Sequence, residues 1–140
     1  MKILLVDDDS EIRRYFKMAL EGAGFHVTEA QDGLSAIATL QNLHFDAIVL
    51  DLSMPRVDGV AALDTFKIMR NGVRVPVITA TAFGDEAIEQ RALESGAAAF
   101  LRKPVPADVL VETVQRCITE SREAHAQNAD DASTQQNADV

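Results

Sequence analysis

Ala47-Ile48-Val49-Leu50-Asp51-Leu52-Ser53-Met54-Pro55 decides the fold: four apolar residues run into a carboxylate, and a proline ends the run four positions later. A short unbroken apolar run bounded by turn signals reads as a strand covered on both faces, the pattern of a parallel sheet. Asp51 then falls at the strand's carboxyl end, where open α/β sheets place their ligands. Near the N-terminus, Lys2-Ile3-Leu4-Leu5-Val6 repeats the arrangement and ends in Asp7-Asp8-Asp9. Two such strands side by side point several carboxylates into one crevice. Like charges that close are unfavourable without a cation among them. A hard divalent ion suits them, and Mg²⁺ is commonly held by one or two carboxylates with waters and phosphate oxygens.

Outward from these two runs, strands and helices alternate. Ser10, with Asp9 as the alternative, caps a first helix whose inner face is Ile12, Phe16, Ala19, Leu20 and Ala23, and Gly24 ends it. His26 to Ala30 reads as a second strand. Asp32-Gly33 turns into a second helix with Leu34, Ile37, Ala38 and Leu40, reaching about Asn42. Beyond the third strand, Asp58-Gly59 opens a third helix with Val60, Leu63 and Phe66 inward, closed by Asn71-Gly72. Val77 to Ala80 is the fourth strand, about Asp85 to Ser95 a fourth, Ala-rich helix, and Ala99 to Arg102 the fifth strand. Pro106 suits the first turn of a last helix whose inner face is Leu110, Val111, Val114, Cys117 and Ile118. Five β–α repeats give an α/β fold, a doubly wound five-stranded parallel sheet with five helices covering both faces.

The periodicity stops near residue 123. Residues 124–140 hold no Lys, Arg or aromatic residue and many Ala, Gln, Asn and Asp, so the sequence predicts one domain over 1–123 and a disordered acidic and polar tail over 124–140. The 140 residues are one domain's worth, with 47% hydrophobic content, and no apolar run approaches the ~20 residues of a membrane span. No signal-peptide pattern is expected, since the first apolar run meets three aspartates. Cys117 is the single cysteine, so no intrachain disulfide forms and a cytoplasmic location is expected. A net charge of −9 argues against gripping a nucleic-acid backbone.

The strand ends carry the chemistry. Strand one delivers Asp7 and Asp8, strand three Asp51, strand four Thr81, and strand five Lys103-Pro104. Acids, a hydroxyl and a lysine at one sheet edge are a kit for moving a phosphoryl group onto a carboxylate. Asp51 would be the nucleophile, the acids would hold Mg²⁺, and Lys103 and Thr81 would contact phosphoryl oxygens.

Taken together, Ile3 to Asp9, Leu50 to Pro55 with Asp58-Gly59, Thr81-Ala82, Phe100 and Lys103-Pro104 resemble the response-regulator receiver domain of two-component signalling over residues 1–121. The resemblance, closest in kind to single-domain chemotaxis regulators, implies a flavodoxin-like strand order of 2-1-3-4-5. It implies a signalling switch rather than an enzyme, taking its phosphoryl group from a sensor histidine kinase or histidine phosphotransfer protein. Mg²⁺ would be bound by Asp8, Asp51 and the Ser53 carbonyl, with Asp7 acting through a bound water, and Lys103-Pro104 would be cis. Thr81 and Phe100 would be the switch pair that changes the surface of the fourth helix, fifth strand and fifth helix for a downstream protein target. A monomer or weak dimer, with no direct nucleic-acid or membrane binding, completes the expectation.

Two other classes stand against this reading. A haloacid-dehalogenase-type hydrolase also uses a strand-end aspartate, but needs a second acid two residues on, where this chain has Ser53. A flavodoxin-like binding module that takes no phosphate has no use for Asp8, Asp51, Thr81 and Lys103 together. His26, His44 and His125 share no metal-ligand spacing with one another or with Cys117. Arg13 and Arg14 are assigned to solvating the outer face of the first helix, with kinase docking as the alternative role. Ser53 and Phe83, two past the aspartate and two past the threonine, would flank water's line of attack on an acyl phosphate.

Overall fold

A computed structural model describes residues 1–52, 69–70, 73–82 and 86–138. Its elements are β1 (Lys2–Val6), α1 (Ser10–Gly22), β2 (His26–Ala30), α2 (Gly33–Asn42), β3 (Ala47–Leu50), β4 (Met69–Arg70), β5 (Val73–Arg74), β6 (Val77–Thr81), α3 (Glu86–Glu94), β7 (Ala99–Arg102) and α4 (Ala107–Ala138). Ser53, Asp58-Gly59 and the third helix expected with Val60, Leu63 and Phe66 inward, and Phe83, lie outside the described residues.

Five strands form one sheet in the order β2-β1-β3-β6-β7, every neighbouring pair parallel. This is the expected 2-1-3-4-5 order once the small β4–β5 ribbon is set aside. Each apolar strand alternates between two cores. Leu4, Val6, Ile48, Leu50 and Val77 face one side with Ala36 of α2 and Ala92 of α3. Ile3, Leu5, Ala47, Val49, Ile78 and Ala80 face the other, against Phe16 and Leu20 of α1 and Leu110, Val114, Cys117 and Ile118 of α4. Burial on both faces is why these strands read as unbroken apolar runs. Each fully enclosed Leu or Phe contributes about 1.5–3 kcal/mol.

Asp9, not Ser10, caps α1: its Oδ1 accepts from the N–H groups of Glu11 (3.0 Å) and Ile12 (3.2 Å). The helix closes as a Schellman motif. Phe25 N–H reaches Leu20 carbonyl and Gly24 N–H reaches Glu21 carbonyl, with Gly24 at φ 97. A Cβ there would meet nothing within 4 Å, so the left-handed backbone alone calls for glycine. Leu20 and Phe25, which bracket the motif, are both buried in the same core.

Two expectations change. The inner face of α2 is Gly33, Ala36, Ile37 and Leu40, whereas Leu34 is 81% exposed and Ala38 is exposed. The small residues at 33 and 36 complete an i, i+3, i+4, i+7 stripe that a search for large side chains passes over. Second, Met69–Arg70 pairs antiparallel with Val73–Arg74, so residues 69–70 are strand where a third helix closed by Asn71-Gly72 was expected. An Asn-Gly pair between two short runs is itself a hairpin signal. Past residue 123, α4 continues to Ala138. Ala and Gln, frequent there, are good helix formers, and a packed helix offers a ready nucleus for further turns.

Candidate functional site

The register brings the acids together. Val6 pairs with Leu50, so the next residue on each strand, Asp7 and Asp51, leave the sheet side by side. Asp7 N–H donates to Ala30 carbonyl (3.2 Å) and Asp51 N–H to Val6 carbonyl (3.0 Å), which extends the ladder to the acids themselves. The sheet order reverses between β1 and β3, so this is the switch-point crevice of a doubly wound sheet. Asp7 and Asp51 are buried and Asp8 is exposed, and carboxylate oxygens of all three lie within 4.8 Å of one another.

Lys103 enters from the opposite side. Its N–H donates to Thr81 carbonyl (2.9 Å), which carries the β6–β7 pairing one step beyond Thr81–Arg102. Its Nζ is 2.6 Å from Asp7 Oδ2 and 3.4 Å from Asp51 Oδ2, with only 8% of the side chain exposed. The Lys103–Pro104 peptide is cis. Burial raises the Asp7 carboxyl above its ordinary 3.8; the Lys103 hydrogen bond, the Asp9 N–H and the Lys103 charge oppose that rise, and the Asp51 charge adds to it.

Of the residues singled out from sequence, Asp7, Asp8, Asp51 and Lys103 therefore meet. Thr81 is buried at the end of β6, next to them through its carbonyl bond to Lys103. Phe100 is half-buried and packs on the α2–α3 core. Its register partner is Thr79, which places Phe100 and Thr81 on the same face of adjacent strands. Ser53 lies outside the described residues. Cys117 is buried, and burial raises its thiol, which fits a packing role.

Sequence reasoning missed Arg13. Its Nη1 donates to the Asp7 carbonyl (2.7 Å) and its Nε to Glu29 Oε1 (3.3 Å), and its side chain is only 18% exposed. Helical periodicity marked it as polar and therefore outward. Nothing local in the sequence announces a bond back across the strand end.

Three oxygen donors, two buried and one facing water, suit a hard cation that keeps several waters. An acid cluster with a lysine at the switch point of a 2-1-3-4-5 sheet defines the class, a doubly wound α/β domain whose strand edge gathers three carboxylates that could hold a metal ion. Residues 3–115 match the family model of the response regulator receiver domain. The chain belongs to the response-regulator receiver family. It is 38% identical over 130 residues to the transcriptional regulatory protein CpxR of Escherichia coli (strain K12), covering 93% of this chain and 54% of that protein. The chain thus spans about half the length of the curated relatives it matches. Among solved structures, the Francisella response regulator 1452 receiver domain superposes with a TM-score of 0.75 at 31% identity, over 85% of this chain and 97% of that one. The chemotaxis response regulator CheY4 of Vibrio cholerae gives 0.74 at 31% identity, over 83% and 97%.

Proposed function

We propose that this domain is a phosphoacceptor switch in which Asp51 takes a phosphoryl group from the phosphohistidine of a sensor histidine kinase or phosphotransfer protein. A carboxylate oxygen of Asp51 attacks phosphorus, the P–N bond breaks, and the imidazole leaves with the electron pair and takes up a proton. Lys103 would contact a phosphoryl oxygen as a point charge, and the Thr81 hydroxyl would donate to another. Asp8 and Asp51, with the Ser53 carbonyl, would hold Mg²⁺, and Asp7 would act through a water. When bound, the ion supplies positive charge to the phosphoryl oxygens and screens the attacking carboxylate from them. A groove of ≈ 600 Å³ beside Lys103 is lined by Glu11, Ile12, Tyr15, Ala82 and Pro104.

The observation that carries this reading is the shared lysine. One buried ammonium lies within 3.4 Å of both Asp7 and Asp51, so a cation is already aimed where new negative charge would develop. Phosphorylation would draw Thr81 toward the new group and let Phe100 turn inward, altering the surface of α3, β7 and α4 for a downstream protein. The test is incubation with acetyl phosphate and Mg²⁺ followed by intact mass. One added phosphoryl group, absent without Mg²⁺ and absent in Asp51→Asn, is the expected result. Full labelling of Asp51→Asn overturns it.

A further inference from the structure

Building on the reading of the acid cluster as a divalent-cation site, we infer that Arg13 is a positioning residue for that site, held in place by Glu29. Its guanidinium reaches the Asp7 carbonyl at 2.7 Å, and that carbonyl belongs to the peptide joining Asp7 to Asp8. The orientation of this one peptide sets the direction in which both acid side chains leave the chain. The rest of the turn is already fixed from other sides. Asp7 N–H is tied to Ala30, Asp7 Oδ1 accepts Asp9 N–H at 2.9 Å, and Asp9 caps α1. Arg13 closes the remaining freedom, since no other bond to the Asp7 carbonyl is seen among the described residues.

Glu29 explains why the guanidinium stays outside the acid crevice. It precedes Ala30, the residue that receives Asp7 N–H, and it accepts from Arg13 Nε at 3.3 Å while Lys17 Nζ lies 3.5 Å from its other oxygen. A released guanidinium within reach of three carboxylates would compete with the metal for them. Arginine's planar fork serves both partners at once, one nitrogen to the carbonyl and another to the carboxylate, which a lysine cannot do.

Positioning and plain electrostatics make opposite predictions. Removing a positive charge beside a cation site should tighten cation binding through space. Removing a residue that aims the ligands should weaken it. The experiment titrates the full chain with Mn²⁺, reading free Mn²⁺ by its paramagnetic resonance signal, and records metal-free melting of each variant. Asp8→Asn, expected to lose Mn²⁺ binding, reports on the cation site itself. Arg13→Ala should raise the Mn²⁺ dissociation constant about tenfold, on the scale of other outer-sphere partners. Arg13→Lys should fail to restore it, Glu29→Gln should weaken binding in the same direction, and Arg14→Ala should match wild type. If wild type binds Mn²⁺ and Asp8→Asn does not, yet folded Arg13→Ala or Arg13→Lys binds as tightly as wild type or tighter, Arg13 does not position the site. If wild type takes up no Mn²⁺, the cation site and the role of Arg13 fall together.

Discussion

The two edges of the sheet handle charge in opposite ways. At the amino edge, Asp46 precedes β3, accepts Lys2 N–H at 2.7 Å, and meets the Arg122 guanidinium from α4 at 3.2 Å. Next to it, Ser121 on the same helix donates to the Arg74 carbonyl. These contacts tie the middle of α4 to the start of the sheet. At the carboxyl edge, Asp7, Asp8 and Asp51 crowd within 4.8 Å with Lys103 between two of them. Acids outnumber bases there, and burial holds the Asp7 carboxyl above its ordinary value. One edge sets a carboxylate against an arginine, whereas the other gathers three carboxylates around one ammonium.

The largest effect expected from this contrast comes from removing Lys103. Lys103→Met leaves Asp7 and Asp51 facing each other without the shared ammonium. Breaking an enclosed ion pair commonly costs about 3–5 kcal/mol, and the open side at Asp8 lowers the expectation here to about 2 kcal/mol at neutral pH. Urea unfolding without metal measures it, and added Mg²⁺ should restore part of the loss by binding only the folded state. A variant as stable as wild type would mean that the lysine is not what holds the acids together.

Asp51→Asn should act in the other direction. Lys103 keeps its 2.6 Å partner Asp7, while one of the crowded negative charges disappears. The metal-free variant should be more stable by about 1 kcal/mol, raising the melting temperature by about 4 °C, although it should no longer be labelled. The pH dependence follows from Asp7. Because its folded value is raised, the folded state holds that proton more tightly than the unfolded chain. Its contribution therefore favours folding below 3.8 and is lost as pH rises through the raised value. Removing the Asp51 charge takes away one cause of the rise, so the fall in stability across that window should be shallower in Asp51→Asn. Parallel pH profiles for the two proteins would break the link.

The same contrast explains what was legible in the sequence. Five strands, their ends and the acid–lysine constellation could be read because burial on both faces leaves continuous apolar runs, as in Ile48-Val49-Leu50, and chemistry must sit where those runs stop. The fine structure of the site was not legible, because Arg13 acts through a backbone carbonyl six residues away, and no residue type marks a carbonyl. Gly33 and Ala36 were passed over because small residues pack by letting the backbone approach rather than by filling space. The choice between Ser10 and Asp9 as cap turned on one residue of helix phase, which composition cannot resolve.

At the amino edge effects should be small. Arg122→Ala removes an ion pair whose arginine is 57% exposed, and such pairs are worth about 0.2–1 kcal/mol and weaken with salt. Asp46 keeps its bond from Lys2 N–H in that variant. Thermal unfolding at low and high ionic strength should show a difference from wild type that shrinks as salt is added. A loss comparable to that of Lys103→Met would erase the distinction between the edges.

The smallest effect is expected just beyond that edge. The described contacts of α4 with the domain involve residues up to Arg122, whose guanidinium reaches Asp46, and the buried stripe ends at Ile118. Past that point the sequence offers Ala, Gln, Asn and Asp without apolar periodicity, so further helical turns rest on propensity and on the packed turns before them. Ending the chain at Glu123 should leave the melting temperature and the rate of acetyl-phosphate labelling unchanged. Far-ultraviolet circular dichroism should lose only the ellipticity of the removed turns. A drop of several degrees would show that residues 124–140 dock on the domain, and a change in labelling rate would show that they reach the acid edge from the opposite end of the sheet.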